Sequence, residues 1–308
     1  MISEINGRTL KALHQNAIKV CKKGRVTNLV LTGRYPIKEA TSDWVNIYSP
    51  EAKNWQAQKC PKKLEFNHGQ YIDRYRTKHK TTAINFLINE LRGRVDSNRA
   101  CLSLIDTGSI INTKDNSIPS YMLTQVSMDD DRSTLSITSY YRALEVSEFL
   151  PINLAENCLI VDGIVKAFGS KVKFFNITIH AGIAHYIEHF SCLRKAKIDY
   201  QKPLEIVTKV ANLNRDWIKQ MLLDKMDLTE SRINRSGLST LLNSMKLQNR
   251  EKKPIVYNDT VINSLDAVLS DIKLFNLEKS RTSHSKEVKN IYSRVKKNLS
   301  LVVQSLQN

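Results

Sequence analysis

The chain has 308 residues, 41% of them hydrophobic, and carries 47 Lys and Arg against 30 Asp and Glu, a formal net charge of +17. That length accommodates two units of ordinary size, each able to bury a core. No apolar run approaches the roughly 18 residues a membrane span needs, so no membrane partner is expected; a place in the cytoplasm is the expectation that goes with the cysteine pattern below. The positive charge is spread along the chain, with residues 201–308 contributing +8 of it, so it is not a basic tail. A surface of that sign attracts phosphate, whether on a mononucleotide or along a nucleic acid. The cysteines Cys21, Cys60, Cys101, Cys158 and Cys192 are odd in number, far apart and outside any CxxC or metal-ligand spacing, which reads as reduced thiols.

In chain order, residues 9–23 predict a helix, with Leu10, Leu13, Ala17, Val20 and Cys21 on one face and Gly24 as its stop. A short strand is expected at 28–31, a loop at 33–43, a second strand at 44–48 ending at Pro50, and an irregular polar stretch at 53–70. A helix at 83–91 shows Ile84, Leu87, Ile88 and Leu91, and Arg92 and Arg94 suit its C-terminal dipole end. A strand at 100–106 follows.

Residues 118–155 organise the first part of the chain. A strand at 120–127, a polar turn through Asp129-Asp130-Asp131, and a strand at 134–142 with period-2 alternation predict a hairpin. A helix with Leu154, Cys158, Val161 and Val165 on its apolar face comes next, then a strand at 172–179 and a helix at about 184–195. Beyond Pro203 the pattern is almost entirely helical. Val261, Leu265, Val268, Ile272 and Phe275 repeat at four, three, four, three, as do Val288, Tyr292, Val295, Leu299, Val302 and Leu306, which predicts an antiparallel helical hairpin. The fold class is α+β at residues 1–200, a strand-rich centre with flanking helices, followed by an all-α domain at 204–308.

Several motifs carry chemistry. Pro119-Ser120-Tyr121 is followed by Gln125; Tyr141-Arg142-Ala143-Leu144-Glu145 stands before Pro151-Ile152-Asn153-Leu154-Ala155; Asp96-Ser97-Asn98-Arg99 precedes a strand; and Gly182-Ile183-Ala184-His185-Tyr186-Ile187-Glu188-His189 closes the series. In this order and spacing they resemble the thymidylate synthase and deoxycytidylate hydroxymethylase family over about residues 8–200. The resemblance implies a thymidylate synthase-like mixed sheet with flanking helices, and a homodimer. It places Ser120 at the catalytic nucleophile, where the family has Cys, and Tyr121 where it has His. It implies phosphate binding by Arg142 and, across the homodimer, by Arg99. It counts Gln125 among the nucleotide-binding residues, gives Asn153 to the base, where it selects uracil, and His185 and Tyr186 to the ribose.

A hydroxyl supplies essentially no anion at neutral pH without a neighbouring base, so Ser120 is a weaker nucleophile than the thiolate it replaces. Arg142 suits phosphate because a guanidinium binds it bidentately and keeps its charge; an internal pair with Glu145 or Glu148 is the structural alternative. Asn153 also suits a helix N-cap. His180, His185 and His189 have no HExxH pattern and no third ligand, so no metal site is expected. The family's folate-closing tail is replaced by about 100 helical residues and Ile183 stands where the family has Asp, which makes folate a doubtful cofactor and leaves the one-carbon donor open. Three functions are consistent with these residues: transfer of a methyl or hydroxymethyl group to C5 of a uridine-type nucleotide, nucleotide binding without catalysis, and nucleic-acid binding.

Overall fold

The computed structural model describes residues 3–72, 81–105, 119–188, 194–227, 233–251, 255–281 and 286–306. The chain divides into two compact units, residues 1–61 with 66–188, and residues 62–65 with 189–308. No described helix is long and apolar enough to cross a membrane.

The first unit is built on a six-stranded mixed sheet: β1 (Ser3–Asn6), β2 (Val26–Pro36), β3 (Cys101–Ser103), β4 (Tyr121–Met128), β5 (Thr134–Glu145) and β6 (Phe174–His185), in the spatial order β1-β2-β6-β5-β4-β3. β1 runs parallel to β2 and β5 parallel to β6; the other pairs are antiparallel. The long strands are central, and the edges are four and three residues long. Helices α1 (Leu10–Cys21), α2 (Asp43–Gln56), α4 (Ala83–Gly93) and α5 (Phe149–Phe168) pack together and against β2–β5, with a single turn α3 at Gly69–Ile72.

Alternation decides which sheet face the helices cover. On β5, Leu135, Ile137, Ser139 and Tyr141 are buried, while Ser136, Thr138, Tyr140 and Arg142 are half-buried or exposed. On β6, Phe175, Ile177, Ile179 and Ala181 are buried. The sheet therefore has one apolar face under the helices and one polar, open face.

Two expected elements are corrected. The stretch at 44–48 is part of helix α2, capped by Ser42, whose Oγ accepts from Val45 N, and its buried residues Val45, Ala52 and Trp55 share one helical face. Pro50 lies inside that helix and does not end it. The stretch at 180–185 is the second half of β6, paired to β2 and β5 at once, where a helix beginning near 184 is expected. β2 likewise runs to Pro36, into the expected loop, and β5 to Glu145. Residues 73–76, 106–118 and 189–193, which include His189 and Cys192, lie outside the described residues.

The second unit is helical: α6 (Lys197–Tyr200), α7 (Pro203–Ala211), α8 (Arg215–Asp227), α9 (Ser236–Glu251), α10 (Asp259–Arg281) and α11 (Lys286–Ser305). The heptad faces of α10 and α11 pack on each other as a hairpin, and Leu265, Val268, Ile272, Ile291, Leu299 and Val302 are buried in this unit's own core. Those faces thus pack on each other within one chain.

Candidate functional site

Ser120 and Arg142, 22 residues apart in sequence, meet across neighbouring strands. Arg142 N donates to the Ser120 carbonyl at 3.0 Å, and Arg142 Nε donates to the Pro119 carbonyl at 3.2 Å. The pairing of Tyr121 with Tyr141 sets this row, and a register shift between Tyr121 and Leu123 lets Tyr121 point into the core while Leu123 stands opposite Tyr140. The Arg142 side chain is exposed, yet lost hydration along it pulls its pKa below the usual arginine value; a guanidinium remains charged at neutral pH regardless. Glu145 is committed elsewhere. Its carboxylate accepts from Ser147 N at 2.8 Å, Glu148 N at 2.8 Å, Phe149 N at 3.2 Å and Ile187 N at 3.2 Å. It thus fastens the first turn of α5 and the chain leaving β6.

The remaining expected residues are distributed over both faces. Gln125 is on the open face, opposite Thr138 on β5 and Cys101 on β3. Arg99 is exposed in the turn before β3, its N–H donating to Ser97 Oγ at 3.3 Å. Asn153 lies on the covered side, in α5, and is only 3% exposed. Its backbone carbonyl accepts from Asn157 Nδ2, and among the described residues no donor reaches its buried Oδ1. The Asn153 side chain is thus not the N-cap of α5; Glu148 holds that position and Glu145 bonds the first amides. His185 ends β6 opposite Glu145, and its carbonyl accepts from Val146 N. Tyr186, one residue further, carries Lys22 Nζ over its ring at 4.9 Å.

Although the sheet lies between Asn153 and Arg142, they sit at similar height. Asn157 Oδ1 accepts from Ser139 Oγ at 2.6 Å. One helical turn back to Asn153 covers about 6 Å, and two strand residues on from Ser139 to Tyr141 cover about 6.6 Å in the same direction. Both residues therefore border the end of the sheet where β5 and β6 finish.

One buried constellation was not anticipated. His68 Nδ1 lies 2.9 and 3.0 Å from the two carboxylate oxygens of Glu156, and the side chains are 3% and 0% exposed. Trp55 and Tyr121 pack on the imidazole, with centroids 4.9 and 5.3 Å away, and Tyr121 stacks on Tyr141 at 4.8 Å. Burial pushes the Glu156 carboxyl above its ordinary range, opposed by His68. The available sequence signal was an acid inside the apolar run of 149–168; nothing local pointed to a histidine 88 residues earlier. A pocket of about 940 Å³ opens on the other, polar face of the sheet, with Arg8, Thr32, Arg34, Thr138, Asn176 and Thr178 among its walls. Among the described residues no group of three His, Cys, Asp or Glu side chains is placed to hold a metal.

No protein-family model matches the chain, and no curated protein matches it in sequence.

Proposed function

We propose that the first unit has a thymidylate synthase-like fold and binds a uridine-type pyrimidine nucleotide at the end of the sheet where β4, β5 and β6 meet. The observation that carries this reading is the pairing of Ser120 with Arg142, which sets the residue at the nucleophile position of the resemblance beside the one at its phosphate position. Arg142 offers an exposed guanidinium to the phosphate. Asn153 supports the choice of base: a buried acceptor without a donor costs roughly 1–3 kcal/mol, and the N3–H of uracil is a donor where N3 of cytosine is not. Ser120 is the residue for addition to C6 if a one-carbon unit is transferred to C5, and it needs a base to do so. Arg99 is the residue through which a second copy would reach the phosphate, and the homodimer rests on it alone.

Calorimetry with uridine and cytidine monophosphates at high salt tests the binding. Arg142→Ala is expected to weaken uridylate binding at least about tenfold, the loss of a charge-assisted contact worth about 1.5–3 kcal/mol; unchanged affinity would reduce Arg142 to a structural role. Release of tritium from C5 separates transfer from binding alone, and is expected to vanish in Ser120→Ala and to rise in Ser120→Cys. Sedimentation at the mass of one chain at micromolar protein would remove Arg99 from the site.

A further inference from the structure

We propose that the open face of the six-stranded sheet binds single-stranded nucleic acid, with the sugar–phosphate backbone running from Arg8 and Arg34 at one end to Arg142 at the other, over the stacked pair Tyr140–His180. The surface is separate from the nucleotide site proposed above except at Arg142 and Gln125, and it uses neither Ser120 nor Asn153.

Four observations converge on it. First, Tyr140 and His180 are cross-strand partners in the middle of the sheet, with rings parallel to within 9° and centroids 4.9 Å apart. Tyr140 is 39% exposed, a large aromatic on the polar side of a central strand. Nothing in the core requires a tyrosine there, whereas a base stacks on such a ring irrespective of its identity. Second, the cations stand at both ends of that platform. Arg34 faces Asn176, and the Arg142 row falls between the Tyr141–Ala181 and Ala143–Ile183 pairs. Six residues of β6 separate the two rows, about 20 Å at 3.3 Å per residue. That exceeds what a single nucleotide spans and matches a run of several phosphates.

Third, the face between the cations carries the hydroxyls and amides Thr32, Thr138, Thr178, Asn176 and Gln125, with the apolar Val30 and Leu123 beside the Tyr140–His180 pair, and on β2, β4, β5 and β6 it carries no acidic residue. Glu4, on edge strand β1, is within 3.4 Å of Thr32 Oγ1 and marks the border. A neutral donor-rich floor flanked by guanidinium groups, in a protein of net charge +17, is complementary to a polyphosphate backbone. Fourth, the surface is concave at the Arg8 and Arg34 end: both residues line the pocket of about 940 Å³, together with Thr138 and Thr178, the open-face residues two positions before Tyr140 and His180. Arg34 is held in place by its guanidinium over the Phe174 ring at 4.7 Å and by a bond to Thr134 Oγ1 at 3.4 Å.

The test is fluorescence anisotropy of a labelled oligouridylate and an oligothymidylate of about 12 nucleotides, within the site sizes of single-strand binders. Three phosphate contacts at a slope of about −0.7 each predict a roughly twentyfold loss of affinity between about 50 and 200 mM salt. Tyr140→Ala is expected to weaken binding at least about fivefold, the low end of one stacked base. Arg34→Ala is expected to weaken it and to lower the salt slope by about 0.7. Circular dichroism of both variants should match the parent, because both side chains are exposed. Loss of the same size in Lys297→Ala, an exposed residue of α11, would mean that net charge alone is responsible and would overturn the proposal. So would equal affinity for a duplex, absence of binding at micromolar protein, or a dimer that Tyr140→Ala dissolves, which would assign the face to a second copy of the chain.

Discussion

Replacing Lys225 by Met isolates the most exacting contact in the helical unit. Lys225 Nζ is 2.6 Å from Asp199 Oδ2, with side chains 1% and 0% exposed, and Asp199 Oδ1 accepts from Gly237 N at 3.1 Å. One carboxylate thus ties α6 to α8 and to the start of α9. The approach of α9 is close enough that a Cβ at position 237 would meet the Ile198 carbonyl at 2.3 Å, so only glycine fits. Burial pushes the Asp199 carboxyl up, and the Lys225 ammonium is the largest influence drawing it back. Methionine keeps the stem and removes the charge, leaving a carboxylate buried without its cation. Breaking one side of such a pair costs about 3–5 kcal/mol. For an m-value of about 2 kcal/mol/M, the urea midpoint at neutral pH falls by about 2 M. In the variant the folded-state pKa of Asp199 stands further above its unfolded value of about 3.9. Folded protein then binds the proton more tightly than unfolded protein, so the deficit shrinks as pH falls through that folded-state pKa and is full above it. Adding Asp199→Asn removes the stranded charge while keeping an acceptor for Gly237 N, and should return most of the loss. Urea titrations followed by far-ultraviolet circular dichroism at several pH values provide the measurement. A loss below about 1 kcal/mol, the value of an exposed pair, or a deficit independent of pH would refute the reasoning.

In the sheet unit, Glu156 has a raised folded-state pKa, so the stability it lends is present at low pH and is lost as pH rises through that value; Glu156→Gln should flatten this part of the profile in thermal melts, and an unchanged profile would locate the proton elsewhere. Burial lifts the Cys21 thiol to about 11 and raises Cys158 as well. Native protein at neutral pH should therefore resist alkylation at both until it is unfolded, which peptide mapping by mass spectrometry will show.

The β4–β5 hairpin and helices α1 and α4 were legible because their apolar residues keep a single period over a whole element. Helix α2 was not. Trp44, Val45 and Ile47 sit close together before Pro50 and imitate a short strand, but Ile47 is 69% exposed and the buried set is Val45, Ala52 and Trp55. Ser42 before Asp43 was the cap signal that outweighs the proline. The end of β6 was read as a helix because His180-Ala181-Gly182-Ile183-Ala184-His185 has little local strand preference; pairing on both sides overrides that. The juxtaposition of Ser120 and Arg142 follows from hairpin register and was within reach of sequence. The His68–Glu156 pair was not, since it joins a segment without periodicity to the buried side of a helix. The open face was half legible: alternation on β5 exposes Tyr140 and Arg142, but only the order of strands brings His180 and Arg34 alongside.

The lengths of the edge strands have their own consequence. β1 offers four residues and β3 three, against twelve in each of β5 and β6. A sheet recruits foreign chains through unsatisfied amides along its outer strands, and here the outer strands taper to almost nothing. A neighbouring molecule could add only a few rungs along β1 or along β3. Pairing through the described edges is therefore disfavoured, and growth of fibrils from the native state should be slow even at concentrations where a long-edged sheet would polymerise.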